Sequence, residues 1–347
     1  MNLYDRIYGC LLGGACGDAL GGPVEFLSKE RIHAEYGADG ITELHEYDGV
    51  VGAITDDTQM TLFTVEGLIR AGVRFDTKGI CHIPSVVNHA YRRWLQTQEA
   101  DFSTSANNDD IDGWLVSNER LWARRAPGAT CLSALRTKMP FGDKAQNNSK
   151  GCGTVMRDAP FGFLSKSGTS YTFDLAAQTA ATTHGHPSAQ YASGALASII
   201  NFIADGHTLI DAVKNTMPLL ERDGAEEVKS SIKNALKLSK MTNWQLRLPE
   251  LGEGWVAEEA LGISVLCALA GKTPYEAIVA AVNHSGDSDS TGAITGNIVG
   301  ALHGASNLPE IWATKVELRD VIQTLAEDFT AVLSGKVDIL ASRYPGW

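Results

Sequence analysis

The chain has 347 residues, of which 44% are hydrophobic and 20% charged, an ordinary globular composition with ample material for a core. Its 29 basic and 41 acidic residues leave a net charge of −12, which argues against nucleic-acid or membrane-surface partners, because phosphates are bound mainly by Lys and Arg. No apolar run approaches the roughly 18 residues of a membrane span, and the start, Met1-Asn2-Leu3-Tyr4-Asp5-Arg6, lacks the pattern of a signal peptide. Cys10, Cys16, Cys81, Cys131, Cys152 and Cys267 form no Cys-x-x-Cys pair and sit mostly among Leu, Ala and Gly. They read as reduced thiols of a cytoplasmic protein.

In chain order, residues 3–20 predict an apolar helix interleaved with Gly13, Gly14 and Gly17. Such glycines cost roughly 1 kcal/mol each in propensity and make sense where another backbone packs closely. Residues 24–53 read as an irregular loop carrying Glu25. Thr55-Asp56-Asp57-Thr58 opens a helix with a wide apolar stripe, and residues 80–98 predict another. Residues 99–115 read as a polar loop with Asp109, Asp110 and Asp112, and short helices are expected around 115–125 and 131–138. After the loop ending Ser149-Lys150-Gly151-Cys152-Gly153, Ala-rich helices are expected over 154–165, 174–183, 187–205 and 208–221. An amphipathic helix over 224–240, a connector, apolar helices over 258–270 and 274–282, a glycine-spaced helix over 291–304 and a helical close over 309–334 complete the pattern. Alternating β-type runs are nearly absent, and no composition shift divides the chain. The expectation is an all-α, multi-helix globule with residues 1–347 as a single domain.

Two stretches carry chemistry. In His284-Ser285-Gly286-Asp287-Ser288-Asp289-Ser290-Thr291-Gly292, Asp287 and Asp289 can face one cation from a tight turn, with Ser290 and Thr291 adding neutral oxygen. Clustered oxygens suit hard ions such as Mg²⁺, Mn²⁺ or Ca²⁺ rather than zinc. Thr55-Asp56-Asp57-Thr58 has the same ingredients at a helix start, where Thr and Asp also serve as ordinary caps. Joined, the two stretches have enough carboxylates to bridge a pair of divalent ions, a recurring hydrolytic arrangement, with Glu25 a fifth. Arg157 could pair with a core acid, the preferred reading, or reach a phosphate; His284 reads as a cap or core residue, and His184 and His186 as too poorly aligned for a shared metal.

The combination resembles the ADP-ribosylglycohydrolase family, which includes ADP-ribosylarginine hydrolases and dinitrogenase reductase-activating glycohydrolases. Gly17-Asp18-Ala19-Leu20-Gly21 with Glu25, Thr55-Asp56-Asp57-Thr58, and Gly151-x-Gly153 with Met156-Arg157-x-Ala159-Pro160 carry it. So do Thr183-His184-x-His186-Pro187, Gly254-Trp255-Val256-Ala257-Glu258-Glu259, and Gly286-Asp287-Ser288-Asp289-Ser290-Thr291-Gly292, all in the family's order. The resemblance implies an all-α orthogonal bundle with a cleft holding two Mg²⁺ or Mn²⁺ ions. By position it makes Thr55, Asp56, Asp57, Asp287, Asp289 and Ser290 the metal ligands, with Thr291 an alternative hydroxyl. Gly151, Gly153 and His184 match positions that cradle ADP. Glu25 matches an acidic position of the poly-ADP-ribose and serine-directed branch, and Asp57 and Glu25 are the candidate catalytic carboxylates. The implied activity is metal-dependent removal of ADP-ribose from a modified protein, first from arginine. The alternatives are an O-linked substrate such as modified serine, or an immunity-type protein occluding an ADP-ribosylating toxin. Backbone donors of a helix opening at Ser149–Thr154 are expected to hold the pyrophosphate.

Overall fold

The computed structural model describes residues 1–105, 112–137, 139–164 and 168–346. Helix α1 (Leu3–Gly21) starts where the Asn2 side chain accepts from the Asp5 N–H, and is buried along most of its length. After Glu25 comes α2 (Lys29–Tyr36), capped by the Ser28 hydroxyl. A small hairpin follows, β1 (Glu46–Tyr47) against β2 (Val50–Val51), with Asp48 and Gly49 both at positive φ as a tight two-residue turn requires. Next are α3 (Asp56–Lys78), stopped by a left-handed Gly79, then α4 (Ile83–Glu99), α5 (Phe102–Ser105) and α6 (Ala129–Arg136). The second half holds α7 (Thr169–Ala180), α8 (Pro187–Ala204), α9 (Leu209–Thr216), α10 (Glu226–Leu238) and α11 (Ala257–Ala270). It closes with α12 (Pro274–Val282), α13 (Ser288–His303), α14 (Glu310–Ala313) and α15 (Arg319–Leu333). The fold is all-α, as the periodicity predicts, and no described helix is long and apolar enough to cross a membrane.

The glycines of α1 meet those of α13. A Cβ on Gly13 would collide with the Gly296 carbonyl, one on Gly17 with that of Gly292, and one on Gly9 with that of Gly300. The pairing order is reversed, so the helices run antiparallel, backbone to backbone. Lost propensity is offset by this close approach. The seam fixes what meets at its end: Asp18, near the C-terminus of α1, faces the Asp287–Asp289 start of α13.

Several expectations needed correction. Residues 24–53 are not wholly irregular: α2 and the hairpin lie there, and Ser28 was the missed N-cap signal. Where a helix was expected over 154–165, the described residues 154–164 form no α-helix but two 3₁₀ turns, Val155–Arg157 and Ala159–Phe163. Pro160 has no N–H to give and restricts Ala159, which halts a longer helix. The expected helix around 115–125 is only the 3₁₀ turn Glu119–Trp122, and part of the 241–254 connector is a 3₁₀ segment, Trp244–Leu251. Asp109 and Asp110 lie outside the described residues.

Candidate active site

Thr55 is the N-cap of α3, so Asp56 and Asp57 fall in its first turn at the positive end of the helix dipole. That turn is pinned by Asp18, whose carboxylate accepts from the Thr55 N–H at 3.1 and 3.0 Å, the Thr55 hydroxyl at 2.8 Å, the Thr58 N–H at 3.1 Å and the Thr58 hydroxyl. Asp287 is the N-cap of α13, and Asp289 lies in its first turn. The α1–α13 seam and the Asp18 bonds together bring the starts of α3 and α13 to one place.

That place is a cavity of about 210 Å³. Glu25, Asp56, Asp57, Asp287, Asp289 and Ser290 line it, with Gly151, Gly153 and His184 on its wall. Thr55 is fully buried behind the floor, its hydroxyl 3.5 Å from Asp57 Oδ2 and bound to Asp18. Carboxylate oxygens of Glu25, Asp287 and Asp289 lie within 4.8 Å of one another. Thr291 is turned away: its hydroxyl bonds His284 Nε2 at 2.8 Å and donates to backbone carbonyls, which leaves Ser290 as the hydroxyl facing the cavity. His284 is buried, the core one of its two expected roles, while Asn283 and Asp287 are the caps on either side.

Asp18, Glu25, Asp56, Asp57, Asp287 and Asp289 are all buried. Among the described residues no Lys, Arg or His side chain forms an ion pair with any of the six. Glu25 Oε2 and Asp57 Oδ1 are buried with no hydrogen-bond partner. The electrostatic consequence is uniform. Burial, with the charge of Asp289 next, pushes Asp18 up to about 7 and Glu25 up to about 10. Asp57 and Asp287 are driven well above the usual carboxylate range by the same two causes. Asp56 is raised by burial and Asp289 although the Gly128 N–H steadies it at 3.1 Å. Buried charges are normally paired or coordinate metals. The donor set is all oxygen, and its spacing approaches the roughly 3–4 Å that separates ligands on one Mg²⁺ ion. The residues present therefore fit a divalent cation.

His184 is deeply buried. Its Nδ1 lies 2.9 Å from the Thr183 hydroxyl, which accepts from Arg157 Nη2 at 2.7 Å. Burial and then the Arg157 charge lower its pKa to about 3, so the ring is neutral and its Nε2 side faces Gly151 and Gly153. Arg157 itself is fully buried, stacked 4.1 Å from the Tyr91 ring centre and 3.9 Å from Asp158, the core role expected for it. The expected helix dipole at Ser149–Thr154 is absent, because only a 3₁₀ turn follows. The wall is instead a bridge of Gly151 to Val256 followed by a turn, with Cys152 N–H donating to the Trp255 carbonyl at 3.2 Å and Ala257 N–H to the Lys150 carbonyl at 2.9 Å. His186 caps α8.

Three site residues escaped sequence reasoning. Asp18 stands in the Gly17–Gly21 motif, but nothing there gave it a role of its own. Cys152 donates its thiol proton to Asp287 Oδ2 at 2.7 Å, and nothing in Gly151-Cys152-Gly153 distinguishes it from a core thiol. Exposed Phe26 stacks on half-exposed Trp255, a cavity-lining residue, with ring centres 5.7 Å apart.

Helix starts that converge a carboxylate cluster on one cavity place the protein among all-helical proteins whose site suits divalent cations. The chain matches the ADP-ribosylglycohydrolase family over residues 1–338, and it belongs to that family, whose members hydrolyse the glycosidic bond to ADP-ribose. It is 26% identical to an ADP-ribosylarginine hydrolase Tri1 of Serratia proteamaculans, over 93% of this chain and 78% of that one. It is 24% identical to the ADP-ribosyl-[dinitrogen reductase] glycohydrolase of Rhodospirillum rubrum, over 92% of each chain. Among solved structures it resembles an ADP-ribosylglycohydrolase-related protein complex, with a TM-score of 0.67 and 24% identity over 96% of this chain and 99% of that one, a likeness of fold.

Proposed function

We propose that the protein is a Mg²⁺- or Mn²⁺-dependent hydrolase that removes ADP-ribose from modified arginine side chains of a cytoplasmic protein and releases free ADP-ribose. The observation that carries the reading is the group of six buried carboxylates without an ion-pair partner among the described residues, in a chain of this family. Asp56, Asp57, Asp287, Asp289 and Ser290, which line the cavity, are the residues that would hold two cations, and Thr55, whose hydroxyl donates to Asp18 beside Asp57, would offer its remaining lone pair. A bound pair supplies Lewis-acid polarisation and a water of lowered pKa. Everything else falls to the chain. A cavity of about 210 Å³ is smaller than whole-ligand pockets of roughly 300–1,000 Å³, so it suits the distal ribose and its C1″. The remainder of ADP-ribose would run along Gly151, Gly153 and neutral His184. Gly153 keeps this wall open, since a Cβ there would reach 3.0 Å from Cys131 Sγ. Glu25 and Asp57, each with an unpartnered oxygen, are the carboxylates we assign to exchange protons with the attacking water and the leaving group. Six unpaired thiols support the cytoplasmic reading.

The position of Glu25 within the cluster also favours a second reading, hydrolysis of serine-linked ADP-ribose. One experiment separates the readings. Purified protein is incubated with arginine-linked and serine-linked ADP-ribosyl proteins, with Mg²⁺ or with chelator, and free ADP-ribose is measured. Release from the arginine linkage that chelator abolishes is expected. Release from neither substrate overturns both readings, and chelator-insensitive release overturns the metal's part. If Asp56→Ala and Asp289→Ala variants still protect cells from an ADP-ribosylating toxin, occlusion of the toxin replaces hydrolysis as the function.

A further inference from the structure

Hard-ion chemistry leaves one part of the cavity wall without a task. Cys131, Cys152 and Met156 line the same cavity as the carboxylates. Cys152 Sγ lies 2.7 Å from Asp287 Oδ2, and the Ser290 hydroxyl lies 3.6 Å from Cys152 Sγ and 3.9 Å from Met156 Sδ. The Ser290 hydroxyl thus lies beside both sulfur atoms, and Asp287 meets one of them. Glu25, more than nine-tenths buried and with no partner for its Oε2, lines the same cavity, within 4.8 Å of a carboxylate oxygen of Asp287. Thiolate and thioether donors select soft or borderline cations. A tetrahedral zinc with a sulfur at about 2.3 Å and an oxygen at about 2.1 Å holds the two ligands roughly 3.6 Å apart. The Cys152–Ser290 spacing already matches that value, and the Cys152–Asp287 pair would have to part by about 0.9 Å to reach it.

We propose that Cys152, with Asp287, Ser290 and Met156, forms a binding site for a thiophilic divalent cation, Cd²⁺ or Zn²⁺, that overlaps the hard-ion site and excludes its occupant. Binding exchanges the Cys152 sulfur–hydrogen bond for a sulfur–metal bond, and the proton leaves to solvent. The overlap rests on the proposed role of Asp287 and Ser290 as hard-ion ligands. The sulfur site does not.

The test uses the full chain stripped with chelator and titrated with Cd²⁺ alone, read by thiolate-to-cadmium charge-transfer absorption. Mn²⁺ binding is followed separately by electron paramagnetic resonance. A band saturating at one equivalent is expected, absent in Cys152→Ser and Cys152→Ala and retained in Cys81→Ser. Excess Mn²⁺ should raise the Cd²⁺ needed for half-saturation about tenfold or more. Protection of Cys152 from maleimide by Cd²⁺, mapped by mass spectrometry on the unaltered chain, gives the same answer without a variant. No band while Mn²⁺ binds overturns the sulfur site and leaves the hard-ion reading standing. Neither ion binding overturns both. A band that survives in both Cys152 variants, or that Mn²⁺ leaves unmoved, also overturns the proposal.

Discussion

Helix α3 buries acids at two places, and they are treated in opposite ways. Glu66, fully buried in its middle, accepts from Arg93 Nε at 3.2 Å and Nη2 at 2.9 Å on one oxygen, and from the Leu115 N–H at 3.2 Å on the other. Arg70 lies close by, 3.3 Å from Asp112. This cluster is balanced within the chain. At the helix start, Asp56 and Asp57 face Asp287, Asp289 and Glu25, and their carboxylates accept only neutral hydrogen bonds from the described residues, Asp57 from the Thr55 hydroxyl at 3.5 Å and Asp56 from the Gly128 N–H at 3.1 Å. The first arrangement joins α3 to α4. The second is costly on its own terms and becomes favourable when an outside cation or bound protons neutralise it. A balanced buried acid therefore marks architecture, and an unbalanced cluster marks a place that takes a ligand.

Four experiments would break or sharpen this contrast. The largest effect is expected from Glu66→Ala, which strands Arg93: a loss of about 3–5 kcal/mol in denaturant unfolding, with Mn²⁺ affinity unchanged. Asp289→Asn should do the reverse. It should cut kcat/KM by about a hundredfold to a thousandfold. It should also raise the melting temperature of the metal-free protein, because the Asp289 charge raises each of its carboxyl neighbours. A lower metal-free melting temperature would mean that the cluster is not repulsive. Third, Asp18→Asn keeps an acceptor for the Thr55–Thr58 turn but removes its charge, and metal affinity should fall about tenfold to a hundredfold by isothermal titration.

The smallest effect is a pH dependence of metal stabilisation. The cluster carboxyls have folded pKa values above their ordinary ones, Glu25 rising from 4.5 to about 10. Their contribution to metal-free stability is therefore present at low pH and is lost as pH climbs through the folded values. Cations and protons compete for the same oxygens. The gain in melting temperature on adding Mg²⁺ should thus grow from about pH 6 to about pH 8. A constant or shrinking gain would show that the ion binds elsewhere.

Much of this was legible locally. The apolar stripe of α3, its Thr55 start, the Pro187 and Pro274 helix openings and the oxygen-rich motifs all follow from short-range rules, whereas α13 begins at Ser288, earlier than the start expected at residue 291. Where the reading failed, the cause was a local signal overlooked or overridden. Ser28 announced α2, and Pro160 breaks the helix expected over residues 154–165.

The sequence by itself determined which residues carry oxygen chemistry and that each half of the site opens a helix, because capping, propensity and donor chemistry act over a few residues. Tertiary packing alone decided that the halves meet. Gly9, Gly13 and Gly17 admit Gly300, Gly296 and Gly292 at backbone distance, and Asp18 at the end of that seam ties down the Thr55–Thr58 turn. It also decided that Ser290 faces the cavity while Thr291 is spent on His284, and that Cys152 looks at Asp287. Direction and juxtaposition across most of the chain are set by which surfaces exclude water together, and no short motif encodes that.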